Sequence, residues 1–298
     1  MLADNSIRLD VAEVLRKRVP RLSRLIPARM VRWLERTICQ DEMNRLLEEN
    51  RGLTGADFCR GVLGSLKIGI DVRNAERLPA KEDRRVVFVS NHPLGGLDGM
   101  ALIDVLQNHF GGQIWFIVND LLMAIKPLND VFLPINKHGA QSRRAAAAIE
   151  EAFAGNDPVI IFPAGLCSRL HKSSYMGKRV NTVADLKWHK MFVNKAIQHH
   201  RDIMPLHFSG QNSDHFYKVA RNRKLLRIPF NIEMVYLPQE VFKARGKRFT
   251  ITVGARIPWN SVAGGKDAQG SANSIRSLTY LLDDDSVNPP INLESTPH

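Results

Sequence analysis

The sequence predicts an α/β protein with a mostly parallel central sheet flanked by helices, preceded by a basic helical N-terminal arm. Two observations lead to this prediction. From about residue 84 onward, short apolar runs alternate with segments of helical periodicity, which is typical of a domain whose parallel strands are joined by helices. Before that point, apolar residues recur at three- and four-residue steps between arginines. A chain of 298 residues has room for one large domain or two small ones.

The first predicted element is the arm, at residues 11–38. Pro20 and Pro27 divide its helical pattern into short helices, and Trp33 lies after Pro27. Basic residues stand between the apolar ones, at Arg16, Lys17, Arg18, Arg21, Arg24, Arg29, Arg32 and Arg36. Each basic residue near an anionic bilayer contributes about 1 kcal/mol to binding. We therefore expect this arm to bind an anionic membrane surface, and the alternative is an arm packed on its own domain.

The remaining elements follow from residue 84 to the end of the chain. Buried strands are predicted at 86–89, 114–118, 131–135, 159–162, 203–208 and 249–253. Helices are predicted at about 98–109, 120–125, 140–154, 185–200, 214–226 and 271–283. The polar tail from Val287 is expected to be loose. These elements predict three regions: a membrane-associating arm at 1–60, an α/β domain at 61–260, and a C-terminal helix and tail at 261–298.

The charge of the chain indicates a polyanionic partner. There are 42 Lys and Arg against 30 Asp and Glu, a net charge of +12, which favours nucleic acid or an anionic membrane. The three cysteines are widely spaced and odd in number, which favours a reducing compartment. No stretch approaches the roughly 20 apolar residues of a membrane span. We expect a peripheral protein on the cytoplasmic face of the inner membrane.

Chemistry-bearing residues follow the first strand of the α/β domain, in the loop SNHPLGGLDGM at 90–100. His92 and Asp98 lie on this one loop, and Gly95 and Gly96 allow it to fold back tightly. Asp98 stands at the start of a predicted helix, where the helix dipole favours an ionised carboxylate. Such a carboxylate can hold an imidazole in the tautomer that accepts a proton. His92 is therefore a candidate general base, and the alternative is a turn in which His92 only bonds to backbone.

Three further strands end in small or polar residues, and α/β proteins place their chemistry at strand ends. They read FLPINKHG at 132–139, IIFPAGLCSR at 160–169 and IMPLHFSGQNS at 203–213. In this order, after the first loop, they resemble the motifs of the lysophospholipid acyltransferase superfamily, the glycerolipid acyltransferases. The resemblance covers about residues 84–256 and rests on Asn91, His92, Asp98, Phe132, Ile135, Lys137, Phe162, Pro163, Gly165, Ser168 and Pro205.

The resemblance implies a glycerolipid acyltransferase-like fold and an acyl transfer reaction. In that reaction His92, assisted by Asp98, takes a proton from an acceptor hydroxyl or amine, which attacks an acyl-carrier-protein or coenzyme A thioester. The resemblance also implies the substrate-binding residues Asn91, Lys137, Phe162, Pro163, Gly165, Ser168 and Arg169. No nucleophile is needed, in agreement with the lack of a G-x-S-x-G motif, and Cys167 is interpreted as a packed thiol. No metal and no cofactor other than the acyl thioester are expected.

The motifs depart from the family pattern in ways that bear on the acceptor. Five residues, not four, separate His92 from Asp98. Ala164 stands where glutamate is usual. Leu166 and Cys167 stand in place of threonine and of the arginine normally credited with holding a phosphate. This form is closer to the bacterial, hemolysin-like branch that acylates lyso-amino-acid lipids.

A lyso-lipid without a phosphate monoester is therefore the expected acceptor, of the lyso-ornithine or lyso-glycine type. One carboxylate needs only one cation, which Lys137 or Arg169 could supply. The main alternative is a 1-acylglycerol-3-phosphate acyltransferase that makes phosphatidic acid, in which the same two residues together bind the phosphate.

Other partners and other classes of protein complete the sequence-based expectations. A basic surface is expected to dock an acidic acyl-carrier protein through Lys172, Lys178, Arg179, Lys187 and Lys190.

The non-enzyme alternative is a basic protein that binds nucleic acid or membrane, for which residues 216–227 are the nearest match; no nucleic acid is expected. A metal enzyme would need histidines at the spacing of a known metal motif, which the chain lacks.

Overall fold

The computed structural model describes residues 8–18, 20, 26–135, 140–175, 178–263 and 267–283. Within these residues, seven strands form one sheet. In chain order they are β1 (Gly69–Arg73), β2 (Val86–Ser90), β3 (Trp115–Asn119), β4 (Phe132–Ile135), β5 (Val159–Ile161), β8 (Asp202–Phe208) and β9 (Arg248–Val253). A separate antiparallel hairpin consists of β6 (Arg169–Tyr175) and β7 (Lys178–Ala184).

The strand order in the sheet is β1-β9-β8-β2-β5-β3-β4. Neighbouring strands run parallel in every pair except β8 with β9, which is antiparallel. The prediction of a mostly parallel central sheet flanked by helices is confirmed. Each predicted strand is found within a few residues of its expected bounds, and Pro205 of β8 lies opposite Val89 of β2.

Helices cover both faces of the sheet. The N-terminal helices are α1 (Val11–Arg18), α2 (Ala28–Thr37), α3 (Gln40–Glu49) and α4 (Gly55–Ser65). The helices between and after the strands are α5 (Gly96–Phe110), α6 (Ala140–Ala154), α7 (Met191–Gln198), α8 (Asp214–Leu225), α9 (Leu237–Lys243), α10 (Trp259–Ala263) and α11 (Ala268–Tyr280). Short 3₁₀ turns follow β3 at Asp120–Ala124 and precede α9 at Ile232–Tyr236.

The alternation of side chains along β2 shows how the core is divided. Val86 and Phe88 pack in a cluster with residues of α4 and α5, whereas Val87 and Val89 pack on the other face with residues of α6, α7 and α11. All four side chains are fully buried, and full burial of one such side chain contributes about 1.5–3 kcal/mol. This two-sided burial explains why the strand reads as an uninterrupted apolar run.

Several elements differ from the sequence-based prediction. The strand β1 and the hairpin β6–β7 were not predicted, and the helix expected at 185–200 begins only at Met191. The boundary expected at residue 60 falls inside α4, whose Phe58 and Val62 belong to the same core cluster as Phe88 of β2. Helix α11 likewise buries Ala272 and Ile275 against the opposite face of the sheet. Both flanking regions therefore contribute to the core of the α/β domain.

The buried Arg201 joins the amino ends of the central strands. Its side chain is fully buried, and its guanidinium donates to the backbone carbonyls of Val86, Ala152, Phe153, Gly155 and Asp157. Burial lowers the pKa of Arg201 to about 10, so the group remains charged at neutral pH. Arg201 thereby satisfies the carbonyls at the end of α6 and fixes that end beside β2.

The arm contains the helices α1 and α2, as its periodicity predicts. The backbone of Leu9 exchanges two hydrogen bonds with the side-chain amide of Asn44, and Val11 N–H donates to the side chain of Gln40. The start of the arm is therefore packed on α3. Among the described residues, no helix combines the length and the hydropathy needed to cross a bilayer.

Candidate active site

The candidate site lies at the carboxyl edge of the sheet, where β2, β5 and β8 end side by side. The loop after β2 carries His92, the turn after β5 carries Phe162 and Pro163, and the end of β8 carries Phe208. Because parallel neighbours end at the same edge, motifs distant in sequence meet here. The structure thus brings the first, third and fourth motifs together.

The central contact of the site joins His92 and Asp98. The two side chains lie 3.0 Å apart between Nδ1 and Oδ2, and Asp98 is fully buried whereas 14% of the His92 side chain is exposed. A carboxylate only accepts hydrogen bonds, so the N–H group of the imidazole is at Nδ1 and donates a hydrogen bond to Asp98. In the neutral imidazole, the other nitrogen, Nε2, then has the lone pair that can accept a proton.

The carboxylate of Asp98 is fixed by backbone donors as well as by His92. Its Oδ2 accepts the N–H groups of Leu94 at 2.9 Å and Gly95 at 3.3 Å, and its Oδ1 accepts that of Gly99 at 2.9 Å. Asp98 stands in the first turn of α5, where the helix dipole also favours negative charge. These donors place the carboxylate before any substrate is bound.

Gly95 accommodates the extra residue between His92 and Asp98. Its φ of +89° is a conformation that residues with a Cβ rarely adopt. A Cβ at this position would also lie 2.9 Å from carbon atoms of the Leu237 side chain. The five-residue spacing therefore preserves the His92–Asp98 contact because the loop folds back at a glycine.

An aromatic ring supports the imidazole of His92. The rings of His92 and Phe162 stack with centroids 3.9 Å apart and an angle of 20° between their planes. Phe162 in turn meets Phe116 of β3 edge to face, with centroids 5.2 Å apart. The stacking leaves the imidazole little freedom to turn, so Phe162 lies where it orients the candidate base.

The backbone of His92 is held on both sides. Its N–H donates to Oδ1 of Asp185 at 3.1 Å, and its carbonyl accepts the N–H of Ser168 at 2.7 Å. Asp185 Oδ1 also accepts the Ser168 hydroxyl at 2.6 Å, and Oδ2 accepts Trp188 Nε1 at 2.8 Å. Asp185 is only 1% exposed. This carboxylate was missed by the sequence analysis, and it ties the loop of the first motif to that of the third.

Asn91 and the FPAG turn have structural partners in the site. The side-chain amide of Asn91 exchanges two hydrogen bonds with the backbone of Phe208, at 2.7 and 2.9 Å, which joins the ends of β2 and β8. Pro163 is buried, and its carbonyl accepts the His189 N–H at 3.0 Å. Gly165 has a φ of +67°, is exposed and donates its N–H to the carbonyl of Phe162. These residues shape the loops around His92.

The guanidinium of Arg169 is paired within the protein and is not a free cation. It is 5% exposed, and its guanidinium donates to Glu233 Oε1 at 2.8 Å and to the Cys167 carbonyl at 2.6 Å. Glu233 is fully buried and also pairs with Arg223, whose Nε lies 3.0 Å from Oε2. Arg169 was expected to bind a substrate anion, but its guanidinium is already paired inside the protein. Lys137, the other expected cation, lies outside the described residues.

Cys167 is placed as a structural thiol. It is fully buried and packs with Phe216 and Tyr217 of α8. Burial raises the pKa of Cys167 to about 11, although the neighbouring Arg169 acts in the opposite direction. The thiol is therefore protonated at neutral pH, which agrees with its interpretation as a packed residue.

A cavity of about 250 Å³ opens beside the site, on the side of β8. Its walls include Asn91, Ser168, His207, Tyr280 and Asp283. Burial lowers the pKa of His207 and raises that of Tyr280, so both side chains are neutral at physiological pH. The cavity is therefore polar but contains little positive charge in the part of its wall that the structure describes.

Comparison with known proteins now identifies the class to which this fold and site belong. The sequence model of the acyltransferase family matches residues 13–288, and the chain is a member of that family. Membership agrees with the resemblance that the motifs show, and the protein is an acyltransferase.

Individual relatives are similar over nearly the whole chain. The lyso-glycine lipid O-acyltransferase of Phocaeicola vulgatus is 39% identical over 95% of this chain and 98% of its own. The lyso-glycine lipid O-acyltransferase of Bacteroides thetaiotaomicron is 40% identical over 95% of this chain and 100% of its own. The solved 1-acyl-sn-glycerophosphate acyltransferase of Thermotoga maritima aligns with a TM-score of 0.43 at 15% identity, covering 86% of this chain and 96% of that one.

Proposed function

We propose that this protein transfers a fatty acyl group from an acyl-carrier-protein or coenzyme A thioester to the hydroxyl of a lyso-glycine lipid at a membrane surface. The observation that carries the proposal is the contact between His92 Nδ1 and the fully buried Asp98. It supplies an oriented base, and acyl transfer to a hydroxyl requires one. The names of the relatives point to the lyso-lipid acceptor.

The reaction proceeds by direct attack. Nε2 of His92 takes the proton of the acceptor hydroxyl while the hydroxyl oxygen bonds to the thioester carbonyl carbon. The tetrahedral intermediate then collapses, the carbon–sulfur bond breaks, and the imidazolium returns the proton to the leaving thiolate. Asp98 stabilises the imidazolium through its hydrogen bond with Nδ1. No covalent acyl-enzyme forms, in keeping with the protonated, buried Cys167.

The surroundings of the third motif favour an acceptor without a phosphate monoester. A phosphate is best bound by a guanidinium that offers two charge-assisted hydrogen bonds. The guanidinium of Arg169 already donates hydrogen bonds to Glu233 and to the Cys167 carbonyl. A glycine head group carries a single carboxylate and needs a single cation, for which Lys137 is the candidate in the sequence. A lyso-ornithine lipid also lacks a phosphate and is the second acceptor of this class.

Product analysis tests the proposal. The purified full-length protein is given one acyl donor together with equal amounts of lyso-glycine lipid, lyso-ornithine lipid and lysophosphatidic acid, and products are quantified by mass spectrometry. We expect the amino-acid lipids to be acylated at least about tenfold faster, because one lost hydrogen bond to a charged group costs 1.5–3 kcal/mol. The variant His92→Ala, run in parallel, identifies turnover that does not arise from this site.

Two results would contradict the proposal. Tenfold faster acylation of lysophosphatidic acid would favour the alternative of a 1-acylglycerol-3-phosphate acyltransferase. Unchanged turnover in His92→Ala would place the chemistry elsewhere in the molecule. Comparison of acyl-carrier-protein and coenzyme A donors of equal chain length identifies the donor.

A further inference from the structure

A cluster of exposed apolar side chains lies where α8 ends. Between residues 225 and 232, which we call the apolar loop, Leu225, Leu226, Phe230 and Ile232 are 74, 72, 75 and 40% exposed. A single exposed apolar side chain is ordinary on a protein surface. Several large apolar side chains exposed on one short segment indicate a surface that binds a protein, a membrane or an apolar ligand.

The segment that contains the apolar loop has basic residues and no acidic ones. Residues 215–232 include no acidic residue, and the basic ones are Lys218, Arg221, Arg223, Lys224 and Arg227. Arg223 pairs with the buried Glu233, whereas the other four side chains are exposed. Exposed apolar groups are thus interspersed with cations, a combination suited to a surface that is both apolar and anionic.

The apolar loop is a formed turn. The N–H of Ile228 donates to the Arg223 carbonyl at 3.0 Å and that of Arg227 to the Lys224 carbonyl at 3.1 Å, the pattern of a helix that ends in a left-handed residue. Arg227 is that residue, with a φ of +52°. The Arg223 side chain also donates to the Ile228 carbonyl at 3.3 Å. The exposure of Leu225 and Leu226 is therefore fixed by hydrogen bonds.

A second amphipathic element lies next to the apolar loop. Helix α2 packs against the 3₁₀ turn Ile232–Tyr236, which begins at the last residue of the loop. In α2, Met30 and Trp33 are 55 and 51% exposed and lie one helical turn apart. Three exposed arginines accompany them, at Arg29, Arg32 and Arg36. Helix α2 thus carries the same two chemical features as the apolar loop and contacts the turn that continues it.

We infer that the apolar loop is a membrane-insertion site, with its apolar side chains among the lipids of an anionic bilayer and its cations on the lipid phosphates. The inference rests on the proposed function, whose lyso-lipid acceptor resides in a membrane. Stable anchoring needs two signals, and burial of apolar side chains together with basic residues at the surface supplies them. Glu233 joins the loop to Arg169 at the end of the third motif, so insertion sets the distance of the site from the bilayer.

Vesicle flotation tests the inference with the full-length protein. Vesicles of phosphatidylcholine alone are compared with vesicles that also contain phosphatidylglycerol, without any acyl substrate. Each of Leu226→Asp and Phe230→Asp is expected to weaken binding to the anionic vesicles at least about tenfold, the factor that burial of one such side chain provides. The matched control is Leu281→Asp, at a residue that is 72% exposed but lies after α11. Raised salt is expected to weaken binding of the unaltered protein.

Three outcomes would overturn the inference. In the first, both loop variants bind the anionic vesicles as well as the unaltered protein. In the second, Leu281→Asp weakens binding as much as they do. In the third, light scattering shows a dimer that only the loop variants dissociate, which would make the loop a contact between two copies. Melting curves exclude unfolding as the cause of lost binding. Because flotation involves no turnover, its failure is distinguishable from failure of the proposed reaction.

Discussion

Arg169 and Glu233 form a buried ion pair, with Nη2 of Arg169 2.8 Å from Oε1 of Glu233. The Arg169 side chain is 6% exposed and that of Glu233 is fully buried. Arg169 is the last residue of the third motif, whereas Glu233 belongs to the turn before α9. The pair therefore fixes the start of the hairpin β6–β7 to the region after α8.

Removal of Arg169 is expected to destabilise the protein. Arg169→Ala leaves Glu233 with Arg223 as its remaining cation, and loss of one partner of a buried pair typically costs about 3–5 kcal/mol. Denaturant unfolding measures this cost. The double variant Arg169→Ala/Glu233→Gln is expected to recover part of it because the buried charge is removed. A stable Arg169→Ala protein whose KM for the acceptor alone is raised would instead support binding of the head group by Arg169.

The candidate base and its carboxylate are expected to act as a unit. His92→Ala should lower kcat about 10²–10⁴-fold, the usual contribution of a general base. Asp98→Asn should also lower kcat, because an amide does not hold the imidazole in the required tautomer. The double variant should lose little more than His92→Ala does. Additive losses in single-turnover assays would show that the two residues act separately.

Asp185 is expected to be a positioning residue. Asp185→Asn leaves one carbonyl oxygen to serve three donors, from His92, Ser168 and Trp188, and should lower kcat about 10–100-fold with little change in KM. Asp157→Asn, which alters a carboxylate paired with Arg84, is the control and should leave kcat unchanged. Equal losses of melting temperature and kcat in both variants would reduce Asp185 to a general stabilising role.

Cys167 is expected to be dispensable for turnover. Because burial raises its pKa to about 11, the thiol stays protonated through the neutral range and becomes a thiolate only in strongly alkaline solution. Cys167→Ser should therefore keep kcat within a few-fold of the unaltered value, and iodoacetamide at neutral pH should not inhibit the native enzyme. Rapid inactivation that Cys167→Ser prevents would contradict this assignment.

The surface before α7 is expected to bind an acyl-carrier protein. Lys187 and Lys190 are exposed there, whereas the side chains of Lys172, Lys178 and Arg179 lie outside the described residues. Because opposite charge mainly speeds encounter, Lys187→Glu/Lys190→Glu should raise KM for an acyl-carrier-protein donor severalfold and leave KM for a coenzyme A donor nearly unchanged. An equal rise for both donors would indicate a different role.

The sheet could be predicted from the sequence because its central strands are buried on both faces. The sequence of β2, VVFVS, is a short run rich in β-branched residues, which favours a strand, and the strand is found where the apolar run lies. The edge strand β1 reads GIDVR and is only half-buried, so its apolar signal is weak. The hairpin β6–β7 is rich in polar and basic residues and lies outside the main sheet. Its strands are defined by pairing with each other, which composition does not reveal.

The site was predictable only where its residues are close in sequence. His92 and Asp98 lie on one loop, so their contact could be expected from local chemistry. Asp185 lies 93 residues from His92 and meets it only through the fold. The family resemblance implied that Arg169 binds substrate, and its partner Glu233 lies 64 residues further along the chain, so the sequence did not reveal their pairing. Contacts over such separations leave no periodic signal in a single sequence.

Arg201 has a consequence for how this enzyme can change. Its guanidinium donates hydrogen bonds to backbone carbonyls, which every amino acid supplies. These hydrogen bonds therefore depend little on which amino acids stand at the neighbouring positions. The amino edge of the sheet can therefore hold its geometry while the loops at the opposite edge diverge. A library that varies the loops after β5 and β8 should yield folded proteins with altered acceptor preference. A library at Arg201 itself should yield mainly insoluble ones.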